Sequence, residues 1–240
     1  MNKKGVGTGV IVGLLAIVAI LLVGAWQFGW LGGGGGEKTG RVVFAMTDAT
    51  ANMSDITSIK VTVDSVDVHT DAEGWTTVST TQRTYDLLEL KANNDVVVLA
   101  DVQLKEGTYQ QVRLDISKVV VTDSEGDHEA KLPSNELKIV GGFEVKANTT
   151  SSVMFDFIAD ESIHVTGNGQ YVMAPVCQYE TRTDADVEVK SDNKVTINNG
   201  KIKTNIKVGM DITGAIGVGK KISATDVISV NSNGGLKIGV

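Results

Sequence analysis

The stretch Ile59-Lys-Val-Thr-Val-Asp-Ser-Val-Asp-Val68 sets apolar against polar residues. This is the period of a strand with one face in a core and the other in water. Arg41 to Met46, Trp75 to Val78, Val96 to Val102 and Leu104 to Leu114 also read as strands, and helical periodicity is nearly absent outside the N-terminus. The pattern predicts a mainly β protein. Glu73-Gly74 and Glu125-Gly126 each follow Thr-Asp and mark two similar hairpin turns, a shared turn solution. In the tail, Asn198-Asn199-Gly200 reads as a two-residue hairpin turn followed by short strands to Val240.

Ahead of these strands lies a segment of different character. From Val6 to Gly24 every residue is apolar, glycine or threonine; Lys3 and Lys4 precede the run, and Trp26, Phe28 and Trp30 follow it. At about 1.5 Å per residue, roughly 20 such residues match a hydrocarbon core of roughly 30 Å. Basic residues before the run and aromatic rings after it place the N-terminus in the cytoplasm and the body of the chain outside the cell. A cleavable signal would have a shorter apolar core, although Val23-Gly24-Ala25 would serve as its site. A lipoprotein would need a cysteine where Leu31 stands. Lys3-Lys4-Gly5 looks like the processing site of archaeal pilins, so cleavage after Gly5 and assembly into a filament is the alternative to a retained anchor. Gly5, Gly9 and Gly13 would line one helix face, as in closely packed membrane helices, which is the feature that points to self-association.

The organisation expected is a membrane anchor over 1–31, a glycine-rich linker over 32–40, a β-sandwich over 41–185 and a small β-rich C-terminal module over 186–240. The alternative for the tail is that it adds strands to the sandwich or to a neighbouring subunit. Charge supports a division near 185: of 22 basic and 29 acidic residues, residues 37–185 carry a net −12 and residues 186–240 a net +3. The exterior as a whole stands at −9, which disfavours nucleic acid as a partner. Cys177 is the only cysteine, so no intrachain disulfide holds the exterior together.

Chemistry is sparse. The serine-hydrolase elbow, the paired-histidine zinc motif, the phosphate loop and Cys-x-x-Cys are all absent, and His69, His128 and His164 are scattered. Asp123, Glu125, Asp127 and Glu129 alternate through a turn and are the one candidate set for calcium. They lack the full loop pattern, so a solvated hairpin tip is the preferred reading and no cofactor is expected. Asn52-Met53-Ser54 and Asn148-Thr149-Thr150 are glycosylation triplets. Trp75 is the lone large ring of the exterior, and its expected role is packing against its own strand, one ring being a poor sugar platform.

Phe44 to Asp48, Trp75, Tyr85-Asp-Leu-Leu, Gly107-Thr-Tyr-Gln-Gln-Val-Arg-Leu, Leu132-Pro-Ser134, and Phe155 to Ile163 leading to Gly167–Val176 follow one another in an order that resembles the family called domain of unknown function 4382. The resemblance covers about residues 41–180. It implies an exported or surface-anchored archaeal or bacterial protein with an immunoglobulin-like or transthyretin-like (prealbumin-like) sandwich and no established activity. The function expected is therefore that of a non-enzymatic, membrane-anchored cell-surface protein, serving adhesion, ligand binding or envelope structure. A pilin-like filament subunit is the first alternative, and a secreted enzyme or ligand-binding module with an unrecognised site is the second.

Overall fold

The computed structural model describes residues 37–50, 53, 55–223 and 225–239. The expected anchor, Gly5, Gly9, Gly13 and Asn52 lie outside the described residues. Among those described, no helix is long and apolar enough to cross a membrane.

In chain order the elements are β1 (Thr39–Asp48), β2 (Ile56–Thr70), β3 (Gly74–Ser79), β4 (Arg83–Asp86), α1 (Leu87–Asn93), β5 (Val97–Lys105), β6 (Gly107–Asp123), β7 (Gly126–Glu129) and β8 (Glu136–Val145). They continue with β9 (Thr150–Phe157), α2 (Ala159–Ser162), β10 (Ile163–Val165), β11 (Tyr171–Met173), β12 (Val176–Val189), β13 (Val195–Met210), β14 (Ile216–Val218), β15 (Val227–Val230) and β16 (Leu236–Gly239). One six-stranded sheet runs β14-β13-β12-β9-β1-β5. The other runs β3-β2-β6-β7, with β4 also on β2 and β8 also on β6. All neighbours are antiparallel except β1 and β9, which run parallel.

A single core joins the two sheets: Val42, Phe44, Met46, Val153, Phe155 and Tyr179 from the first meet Ile59, Val61, Leu114, Ile139 and Phe143 from the second. Phe143 stacks on Tyr109 at 4.8 Å and meets Phe44 edge-on at 5.7 Å, the offset and T-shaped geometries that aromatic rings favour. Gly141 permits the close approach of β8 to the first sheet, because a Cβ there would lie 3.0 Å from the Tyr179 ring and 3.1 Å from Ile206.

Three local expectations are corrected. The 185/186 division falls inside β12, which continues unbroken to Val189, and β12 to β14 extend the first sheet instead of starting a separate module. Asn198-Asn199-Gly200 lies within β13, where φ of 55° at Asn199 and 79° at Gly200 bends the strand beside Asp184, whose φ is 56°. The turn itself is formed earlier in the chain, where the Asn193 amide (φ 66°) donates to Lys190 and the Lys190 amide donates to Lys194. Finally, Leu87–Asn93 is a helix: Asp86 accepts from the amides of Leu88 (3.1 Å) and Glu89 (3.4 Å), and Asn94 ends it with φ 51°.

The bend in the β12–β13 hairpin folds its far half across the outer face of β1 and β5. Val187, Val189, Val195 and Ile197 there cover Val43, Ala45 and Val98. The tip is pinned where the Val98 amide donates to Asn193 (2.9 Å) and the Val195 amide donates to Val96 (2.7 Å). This explains why Val42 to Met46 is continuously apolar: β1 is buried on both faces. A smaller cluster of Val172, Ala174, Met210, Ile222 and Ile228 seats the β15–β16 hairpin.

Candidate functional site

The outer face of the second sheet carries no such arm, and it holds the most elaborate side-chain array among the described residues. Its composition follows from a change of phase in β2. Ile59, Val61 and Val63 point into the core, a bulge intervenes around Asp64 and Ser65, and Val66 and Val68 then take the inward positions. One extra residue moves every later side chain to the opposite face. Asp67 and His69 are thereby turned outward.

Register then builds two rows. His69 stands opposite Trp75 of β3 and Gln111 of β6, and Gln111 opposite Val140 of β8. Asp67 stands opposite Thr77 and Arg113, and Arg113 opposite Lys138. Trp75 and Arg113 are thus separated by a whole strand, about 10 Å between backbones at the usual spacing. Even so, the Arg113 guanidinium carbon lies 4.8 Å from the centre of the Trp75 ring, and His69 meets the same ring at 5.1 Å. The indole must therefore lean inward over β2. Arg113 takes one of its faces, and Trp75 remains 38% exposed.

Arg113 is itself held from below. Its Nη2 and Nε donate to Oδ2 of Asp67 at 3.2 and 3.3 Å, and Nη1 donates to Glu136 at 3.3 Å. Asp115 lies 3.6 Å from Nε. Asp67 is 3% exposed and also accepts from Thr77 and Ser65. Burial pulls the Arg113 pKa down, but the carboxylates of Asp67, Asp115 and Glu136 overcome this and leave it above the ordinary value. The result is a cation fixed under an aromatic ring, bordered by the Gln111 amide, His69, Thr77, Lys138 and Glu136. Such an array can recognise a ligand by stacking and hydrogen bonds.

The candidate calcium residues do not converge. Asp127 and Glu129 stand opposite Thr122 and Val120, on the other face of the β6–β7 hairpin from Asp123. Asp123 accepts from Tyr171 (2.7 Å), from the Glu125 amide (2.8 Å) and, at 3.0 Å, contacts His128 Nε2. Those bonds, that to Tyr171 first, hold its carboxyl below the usual range, while Tyr171 is pushed up to about 12. Among the described residues no group of three or more His, Cys, Asp or Glu side chains is arranged to hold a metal ion. Asn148 is exposed in a turn with φ 58°. Cys177 is buried, and burial pushes its thiol up to about 12.

A separate cleft of about 280 Å³ opens beside His164, Lys221, Ser223 and Asp226. Burial holds His164 below its ordinary pKa. Each of the three histidines has its own surroundings: His69 sits with Trp75, His128 with Asp123, and His164 in the cleft.

The sequence pattern assigns Trp75 to packing and leaves His69 among the scattered histidines, and it gives Asp67 and Arg113 no role. The one signal that could have found them was the apolar phase slip at Val63-Asp-Ser-Val66. Residues 39–175 match the family model described as Domain of unknown function (DUF4382), a span that includes every strand of the second sheet and ends just before β12. No curated protein and no solved structure matches the chain significantly.

Proposed function

Because the chain belongs to the DUF4382 family, we propose that it is a non-enzymatic, membrane-anchored cell-surface protein whose immunoglobulin-like or prealbumin-like sandwich binds a surface ligand through the outer face of the second sheet. The observation that carries this reading is the asymmetry between the two faces. The first sheet has its outer face at β1 and β5 closed by the β12–β13 arm, whereas the second leaves Trp75 and its fixed Arg113 open. The apolar run after Lys3-Lys4 supports tethering with the sandwich outside the cell, in a role of adhesion or envelope structure.

The experiment combines protease shaving of intact cells with mass spectrometry of the native N-terminus. Removal of the sandwich by external protease, with residues before Gly5 retained, is the expected result; a protected sandwich overturns the reading. A second reading is favoured by Lys3-Lys4-Gly5 alone: a mature start at Val6 would make the chain a pilin-like filament subunit.

A further inference from the structure

We infer that the Trp75 face takes a neutral oligosaccharide lying across the strands, the indole stacking on the flat C–H face of one sugar ring. The inference rests on the reading of this face as the binding surface and names its ligand class. Four observations carry it. The ring is laid over β2 with Arg113 against one face, and Trp75 is still 38% exposed, which leaves the other face for a ligand. An aromatic ring presented in this way is a surface on which an apolar ring face is desolvated at small entropic cost, because the platform is already fixed.

Second, the fixing is internal. Asp67, buried at 3% exposure, accepts two bonds from Arg113 and one each from Thr77 and Ser65, and Asp115 and Glu136 complete the guanidinium's surroundings. The guanidinium is therefore taken up by carboxylates and is not open to an anionic ligand. The exterior's net −9 opposes a nucleic acid, the other ligand that stacks on exposed rings.

Third, the row Trp75, His69, Gln111, Val140 spans four adjacent strands, roughly 14 Å at the usual strand spacing. Its middle is polar, with the Gln111 amide offering both donors and an acceptor beside the His69 ring. Hydroxyl-rich rings require that mixture. Fourth, Val140 is 70% exposed at the far end of the row, a second small apolar contact for the next sugar face.

The test is isothermal titration of the full chain, held in a polyoxyethylene detergent so that no glycoside competes, with cellohexaose, chitohexaose, maltohexaose and mannohexaose. Trp75→Ala, Trp75→Phe and Arg113→Lys are titrated alongside, and thermal unfolding of each confirms that it is folded. At least one hexaose is expected to bind, on the order of micromolar to millimolar. Trp75→Ala is expected to abolish that binding, Trp75→Phe to weaken it, and Arg113→Lys to weaken it several-fold by loosening the ring's support. Equal binding by wild type and Trp75→Ala overturns the inference. So does a wild type that binds no hexaose, and adhesion of the chain to isolated cell envelopes then separates two failures. Trp75-dependent adhesion leaves the binding face standing with another ligand class, and adhesion independent of Trp75 removes the face itself.

Discussion

The Arg113 guanidinium carbon lies 4.8 Å from the centre of the Trp75 ring although β2 runs between their strands. Asp67 on that intervening strand makes the arrangement possible, because it holds Arg113 from beneath while the ring closes from above. The two partners should therefore differ in what they do for stability. Asp67→Ala leaves Arg113, Thr77 and Ser65 without their shared acceptor and is expected to cost about 2–3 kcal/mol. Trp75→Ala removes an exposed ring and should cost no more than about 1 kcal/mol. Denaturant unfolding of the two variants measures the difference.

Burial raises the Asp48 carboxyl to about 6, against its bonds from Thr50 (2.5 Å) and the Ala159 amide (3.3 Å); its second oxygen is buried without a partner. A carboxyl with a raised folded pKa contributes stability that is present below its unfolded value, near 4, and is lost as pH rises through about 6. Asp48→Asn keeps the accepting oxygen and removes the charge. It is expected to match wild type below pH ~4 and to exceed it by about 2–3 kcal/mol above pH ~7. Thermal unfolding across that range reads the crossover.

Gly141 gives a packing test. A methyl group there would press on Tyr179 at 3.0 Å and on Ile206 at 3.1 Å, and Tyr179 is fully buried against Phe155. The ring has nowhere to retreat. Gly141→Ala should destabilise by about 1–3 kcal/mol, read from a lower midpoint in urea, in spite of the general benefit of replacing a glycine.

The arm over β1 and β5 is tested through Val195, 6% exposed and packed with Val43, Ala45 and Val98. Val195→Asp places an unpaired charge in that contact. The expected outcome is a loss of about 2–4 kcal/mol, with new binding of a hydrophobic dye as the arm lifts from the sheet.

The alternation of Ile59 to Val68 and the continuous apolar run of Val42 to Met46 made a mainly β protein legible in the sequence. The ordered motifs carried the family as well. The site was not legible, because outward placement of Asp67 depends on a bulge at Asp64-Ser65, and its meeting with Arg113 and Trp75 depends on registers set over distant strands. Asn199-Gly200 misled for a related reason: both residues adopt positive φ, which suits a hairpin turn and a bent strand equally. The charge shift near 185 was real, but it marks the bend of the arm at Asp184 instead of a domain boundary.

The central claim is that the second sheet's open face is the working surface, and the most direct measurement sets one face against the other. Adhesion of the full chain to isolated cell envelopes is compared for Trp75→Ala and for Gln178→Ala, the latter on β12 of the first sheet, bonded there to Asn205. With both variants folded, Trp75→Ala is expected to lose on the order of tenfold in affinity, as a central aromatic contact does, and Gln178→Ala to bind as wild type. Undiminished adhesion by Trp75→Ala, or an equal loss in both variants, would contradict the claim.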